Sequence, residues 1–193
     1  TVVMDAYAAI HSGATPIFAD VDEETFLVTA ETIKKKITKR TKAIIVVSLQ
    51  GQPVDIDPIL KLAKKNNITV IEDNAQDMLG KYKNKLSGTS GHISVWSFEN
   101  KKHLSGATEG GMISTNDKIL AEKIRKFAGI GYKNMTATGG RTSLSISTVQ
   151  DPDYERFDTV GLNYRMPQIV AAVCYAQLKN VKKIVKRRVE VAK

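Results

Sequence analysis

One cysteine, Cys174, stands in 193 residues. A disulfide scaffold is thereby excluded, and a lone thiol fits a reducing compartment such as the cytoplasm. No apolar run reaches the roughly 18 residues that mark a membrane-spanning helix. The opening Thr1-Val2-Val3-Met4-Asp5 has neither the basic start nor the cleavage site of a secretion signal. Histidine is scarce: His11, His92 and His103 have no metal-binding spacing to one another or to Cys174, which excludes a zinc site of the usual patterns. Neither a G-x-G-x-x-G turn nor a P-loop is present. Ser48 and Ser97 sit in no nucleophile elbow, which argues against a serine hydrolase. There is no internal repeat and no low-complexity segment.

What is present is an ordinary folding composition, 42% hydrophobic and 25% charged, in a length that suits one domain with a real core. The net charge of +9, from 29 basic against 20 acidic residues, favours anionic partners. Nucleic acid is not singled out by it, because the chain shows no binding motif or aromatic platform beyond the basic stretch Lys182–Arg188. The chain lacks an initiator Met and stops inside the amphipathic pattern around Val181–Val189 without a helix stop signal, so it reads as a piece of a longer protein.

Strand and helix patterns alternate. Val2–Ile10 has helical spacing and Gly13 can end it; Pro16–Ala19 is a short strand candidate; Glu31–Ile37 is a helix with Thr29 as its cap candidate. The β-branched run Ala43–Val47 predicts a strand buried on both faces. Asp57-Pro58 opens a helix that runs to about Asn66. Ile68–Ile71, His92–Phe98 and Gly111–Thr115 are further strands, and Asp117–Ala128 is a helix capped by Asn116 or Asp117. The polar stretch 129–160, with Gly139-Gly140, predicts a long loop, and a last helix starts near Pro167 and runs to the end. The fold class is α/β, a mostly parallel or mixed sheet flanked by helices.

In such sheets ligands gather at the carboxyl ends of strands. Asp73 and Gln76 follow one strand; Ser97 and Lys102 follow another. Asp73 has two readings, a cap for a helix starting at Asn74, or a counter-ion for a buried cation. Lys102 is either a solvated lysine like its neighbour Lys101 or an amine nucleophile. Gly110-Gly111 permits close backbone approach and is by itself a weak phosphate signal.

Taken in order, seven segments say more: Gly13-Ala14-Thr15-Pro16-Ile17-Phe18-Ala19-Asp20-Val21-Asp22, Arg40-Thr41-Lys42-Ala43-Ile44-Ile45, Gly51-Gln52-Pro53-Val54-Asp55, Ile71-Glu72-Asp73-Asn74-Ala75-Gln76, Ser97-Phe98 with Lys102 and Leu104-Ser105, Glu109-Gly110-Gly111-Met112, and Asn163-Tyr164-Arg165-Met166. Together they resemble the DegT/DnrJ/EryC1/StrS family of pyridoxal-phosphate (PLP) sugar aminotransferases of fold type I. The resemblance spans nearly the whole chain and implies that residues 1–193 are part of a large PLP-binding domain, with the loop at 129–160 and the start of an inter-domain helix at 167–193.

The resemblance also implies roles. Lys102 occupies the Schiff-base position, Asp73 the position paired with the pyridine nitrogen, Gln76 a place near the ring's 3-oxygen, and Ser97 a phosphate contact. Asn163 matches a residue offered to the phosphate from the partner subunit of a homodimer. The implied reaction moves an amino group from an amino acid, glutamate or glutamine, to a keto-sugar carried on a nucleotide. Two departures bear on loop shape and substrate subclass: the stretch from Lys102 to Glu109 is one residue longer than the common spacing, and Thr108 stands where glycine usually precedes Glu-Gly-Gly. The Val2–Asp5 stretch differs from the commoner Thr/Ala-rich version, and the upstream phosphate-binding turn is not in this chain. The alternatives are a PLP-dependent sugar dehydratase, which places histidine where Lys102 stands, and a non-catalytic binding relative, which would have lost Lys102 or Asp73.

Overall fold

The computed structural model describes residues 2–139 and 144–192. Gly140, the second glycine of the Gly139-Gly140 pair, lies outside them, as do Thr1 and Lys193. The chain forms two compact units, Thr1–Ser114 with Ile169–Lys193, and Thr115–Gln168.

The first unit is built on a four-stranded mixed sheet. Its strands are β1 (Ala43–Val47), β2 (Thr69–Asp73), β5 (Ile93–Ser97) and β6 (Gly111–Ser114), in that spatial order. A hairpin of β3 (Lys81–Tyr82) and β4 (Lys85–Leu86) lies between β2 and β5 in the chain. β1, β2 and β5 run parallel, and β6 returns antiparallel beside β5. Helices α1 (Met4–His11), α2 (Ala30–Lys34), α3 (Ile56–Lys65), α6 (Gln168–Leu178) and α7 (Val181–Ala192) accompany the sheet.

The core explains why the long β-branched run became a strand. Ile44 and Val46 of β1 and Val70 of β2 pack with Ile56, Ile59 and Ala63, the buried stripe of α3. Ile59 is wholly buried, so truncating it to Ala costs about 2–5 kcal/mol. The expectation of burial on both faces holds for one face only. α3 covers Ile44 and Val46, while Ile45 and Val47 on the opposite face stay half-exposed. Thr29 caps α2 in a reciprocal pair with Thr32, as its position predicts.

Several local expectations differ from the structure. Pro16–Ala19 forms no strand; Ile17 and Phe18 are 66% and 73% exposed, with no neighbouring strand among the described residues to complete a ladder. The β3–β4 hairpin turns at Lys83-Asn84, both with positive φ, 46° and 67°, the signature of a type I′ turn. The last helix is two helices: the chain breaks at Lys179-Asn180, where Asn180 N–H donates to Gln177 C=O at 2.8 Å and α7 begins.

The second unit holds α4 (Lys118–Ala128) and the short α5 (Ile146–Gln150). Asp117, not Asn116, caps α4, its Oδ1 accepting the N–H of Ile119 at 2.7 Å and of Leu120 at 3.1 Å. The stretch after α4 folds back on that helix's end. Leu162 N–H donates to Phe127 C=O at 2.6 Å, Tyr164 N–H to Ala128 C=O at 2.8 Å, and Lys126 pairs with Asp158 at 2.6 Å. Gly131 makes this possible, since its φ is +83° and a Cβ there would lie 1.9 Å from Thr159 C=O.

Candidate active site

β2 and β5 are adjacent and parallel, so their carboxyl ends open on one edge of the sheet. Asp73 is the last residue of β2, in register with Val47 on one side and Val95 on the other. Its C=O accepts Ser48 N–H at 3.0 Å, and the next N–H, of Asn74, donates to Val95 C=O at 2.9 Å. The side chain does not cap a helix. Asp73 Oδ1 accepts Ala75 N–H at 2.8 Å in a local turn, and the chain continues through turns to the β3–β4 hairpin.

A second carboxyl meets it. Asp5, in the first turn of α1, lies against Asp73, and its pKa is pushed up to about 6 by burial first and then by the Asp73 charge. The pair therefore holds a proton at Asp5 below that pH while Asp73 keeps its place at the strand end. Behind them, Glu72 is buried and its carboxylate accepts the N–H groups of Gly88 at 3.0 Å, Ser90 at 2.9 Å and Gly91. Asp77, also buried, accepts Gly80 N–H at 2.9 Å, and burial raises its pKa.

Gln76 lies in the same turn segment, its Oε1 accepting Gln50 N–H at 3.2 Å from the turn after β1. Ser97 ends β5 opposite Gly111 of β6, and its Oγ accepts Glu99 N–H at 3.3 Å. Lys102 stands in the turn that follows, its N–H on Glu99 C=O at 3.0 Å. Lys101 is exposed whereas Lys102 is half-buried, which separates two residues that look alike in the sequence. Burial lowers the pKa of the neighbouring His103, with Arg188 and Lys102 adding to the shift against Asp77. Asp73, Gln76, Ser97 and Lys102 thus come from the carboxyl ends of neighbouring strands within the first unit. Asn163 belongs to the second unit, where it bridges to Gly129 and its Oδ1 accepts Arg165 Nε–H at 2.9 Å.

Sequence reasoning missed Asp5, Gln177 and Arg188. Asp5 shows nothing in its own helix that aims it at a strand end some seventy residues later; that contact is tertiary. Gln177 and Arg188 grip the Lys102 loop by its backbone, and no side-chain pattern announces that.

Comparison with known proteins decides the family: the DegT/DnrJ/EryC1/StrS aminotransferase family matches residues 1–193. The chain belongs to that family. It is 40% identical over 192 residues to the GDP-perosamine synthase of Escherichia coli O157:H7, covering 100% of this chain and 48% of that protein. The aminotransferase from Psychrobacter cryohalolentis superposes with a TM-score of 0.81 at 36% identity, over 93% of this chain and 44% of that one. The GDP-4-keto-6-deoxymannose-3-dehydratase ColD superposes with a TM-score of 0.82 at 28% identity, over 100% of this chain and 50% of that one. The chain spans about half the length of the curated relatives it matches. The mixed sheet with flanking helices is the architecture of the fold type I aminotransferases among these neighbours. No helix among the described residues is long and apolar enough to cross a membrane, and no cluster of potential metal ligands occurs among them.

The side chains present fit pyridoxal phosphate. A carboxylate at a strand end suits a ring-nitrogen cation, a half-buried primary amine on the adjoining loop suits an aldehyde, and the amide of Gln76 and hydroxyl of Ser97 offer neutral hydrogen bonds at the same edge.

Proposed function

We propose that this chain is the cofactor-binding part of a PLP-dependent aminotransferase that moves an amino group from an amino acid, glutamate or glutamine, to a nucleotide-linked keto-sugar. The observation that carries the reading is that Asp73 ends one strand and Lys102 stands on the loop that leaves the carboxyl end of the adjacent parallel strand. Bound there, PLP supplies an electron sink for the substrate's α-carbon. Lys102 supplies the amine that bonds the cofactor's aldehyde carbon. Freed by the donor's amine, Lys102 Nζ would serve as general base and then general acid for the proton at the donor's α-carbon. Asp73 would set its charge beside the ring nitrogen and keep that nitrogen protonated. Gln76 would hydrogen-bond the ring oxygen, and Ser97 would contact the phosphate.

Relatives named for GDP-perosamine synthesis support a nucleotide-sugar acceptor. The site is shared in a homodimer, with Asn163 offered to the partner's phosphate, and the +9 charge suits anionic substrates. The dehydratase alternative needs histidine in place of Lys102; here His103 is the next residue, and Lys102 keeps the spacing of five after Ser97.

The test is borohydride fixation of PLP in the full-length protein, followed by mapping of the labelled lysine. Lys102→Ala abolishes the label and Lys101→Ala keeps it. Label on Lys101, or none in the unmodified protein, overturns the assignment.

A further inference from the structure

The loop that carries Lys102 leaves β5 at Ser97 and reaches β6 at Gly111. Its own backbone closes three bonds, Lys102 N–H to Glu99 C=O at 3.0 Å, Gly106 N–H to Phe98 C=O at 2.8 Å and Phe98 N–H to Gly110 C=O at 2.7 Å. Leu104, 4% exposed, anchors its middle. Two further holds come from side chains at least 72 residues away. Gln177, on α6, lays its primary amide along Ser105: Oε1 accepts Ser105 N–H at 3.0 Å and Nε2 donates to Ser105 C=O at 2.9 Å. This reproduces the two-bond exchange of a β-ladder with a side chain. Arg188, on α7, donates from Nη2 to the C=O of Lys102 at 3.1 Å and of Lys101 at 3.4 Å.

We infer that Gln177 and Arg188 are positioning residues for the Lys102 amine, holding its loop at Lys102 itself and three residues beyond. The inference rests on the proposed role of Lys102. The carbonyls and amide they satisfy sit on a half-buried loop, where water could bond them equally well if folding alone were at stake. What water cannot do is fix the loop against two helices. Nζ hangs from a long flexible stem, so its working position depends on where the backbone beneath it stands. Gln177 is suited to this because an amide donates and accepts at once, and a backbone N–H and C=O of one residue need both. Arg188 is suited because one of its terminal nitrogens, Nη2, carries two N–H groups and reaches both successive carbonyls while the planar head stays charged.

The test uses the full-length protein and reads the rate at which added PLP becomes borohydride-fixable at Lys102, together with amide hydrogen exchange of the cofactor-free protein. In Gln177→Leu the Lys102 rate falls about 10-fold or more, in keeping with the steep cost of misplaced reacting groups. Exchange speeds up in 101–106 but not in 69–73, the strand that carries Asp73. Gln177→Glu gives the signature that a structural role would not. Its carboxylate still accepts Ser105 N–H but cannot donate to Ser105 C=O, so the Lys102 rate, relative to the unmodified protein at the same pH, recovers as the pH falls and the side chain takes up a proton. Arg188→Met lowers the Lys102 rate and Arg188→Lys restores part of it. If Gln177→Leu does not fold, Gln177→Glu compared at two pH values in one protein decides the matter. Variants that load Lys102 at the unmodified rate and pH profile overturn the inference while leaving the role of Lys102 intact. Equal loosening of 69–73 and 101–106 also overturns it, as general destabilisation. A protein unlabelled at Lys102 before any substitution overturns both.

Discussion

Glu72 offers the sharpest quantitative test of how the site is held. It is 5% exposed, sits one residue before Asp73, and accepts the N–H groups of Gly88, Ser90 and Gly91. These amides belong to the turn that feeds β5, and the turn accepts little else: a Cβ at Gly88 would lie 2.4 Å from the Trp96 ring, and one at Gly91 would lie 3.0 Å from the Glu72 side chain. In Glu72→Gln the new amide oxygen can still accept from Ser90 and Gly91, but as a neutral acceptor, with about half the strength of a carboxylate. The amide nitrogen then faces Gly88 N–H, donor against donor. Losing one charge-assisted bond costs about 1.5–3 kcal/mol, and weakening two more adds about 1 kcal/mol. Relief from holding a buried charge offsets part of this, leaving a net loss of about 2–3 kcal/mol. That is a large share of an ordinary domain stability of about 5–15 kcal/mol. Urea denaturation measures the loss, with exposed Glu23→Gln as the control, and hydrogen exchange of 88–91 locates it. A loss below about 0.5 kcal/mol with unchanged exchange would mean that water replaces the carboxylate at no cost, and the reasoning fails.

Asp73→Asn slows the half-reaction with an amino donor about 100-fold or more while moving the melting temperature little, because an amide cannot keep the ring nitrogen protonated; near-normal turnover would leave Asp73 only its turn-forming bond to Ala75. Asp5 gives a pH dependence with a definite sign: its folded pKa of about 6 exceeds the unfolded 3.8, so its contribution is full below 3.8 and is lost as pH rises through 6. Asp5→Asn is therefore more stable than the unmodified cofactor-free protein by about 1 kcal/mol at roughly pH 7.5, discounted for its half-exposure, and equal to it near pH 4; a gain independent of pH refutes the raised pKa of Asp5. Mixing inactive Lys102→Ala with inactive Asn163→Ala subunits restores activity if the site is shared between protomers; no recovery after demonstrated subunit exchange assigns Asn163 to its own chain.

Legibility in the sequence followed the range of the interactions. β1, β2, β5 and β6 were readable because their residues carry local strand preference and the neighbouring helices show a buried stripe, as α3 does at Ile56, Ile59 and Ala63. Pro16–Ala19 carries the same preference and forms no ladder, because strand formation needs a partner that local preference does not supply. The β3–β4 hairpin escaped notice because its two-residue strands, Lys81–Tyr82 and Lys85–Leu86, show no alternation; Asn84 at a positive φ was the available signal. Asp73, Gln76, Ser97 and Lys102 stood out through motif order, since each stands at or just beyond the end of a strand. Asp5, Gln177 and Arg188 act across the fold on a side chain or backbone far away in the chain, and nothing in their own neighbourhoods marks them.

The two central residues are held in different ways, and the difference matches what each has to do. Asp73 ends a strand flanked on both sides, with Ser48 N–H on its carbonyl and Asn74 N–H on Val95 C=O, so its backbone is fixed by the sheet, and its carboxylate is held by Ala75 N–H. In the proposed function its task is a standing charge beside a ring nitrogen, and any displacement weakens that charge's effect. Lys102 sits on a loop outside the ladder, which side chains of helices α6 and α7 hold by its backbone. In the proposed function its amine must let go of one carbon and then carry a proton between two others. A strand would hold the backbone at least as firmly, but it would aim the side chain along the alternation of the sheet, where neighbours on the same face restrict it. A loop pinned by distant side chains keeps the backbone still and leaves the stem its freedom. Substitutions in α6 and α7 should therefore reach the amine without reaching the carboxylate, although both stand at one edge of one sheet.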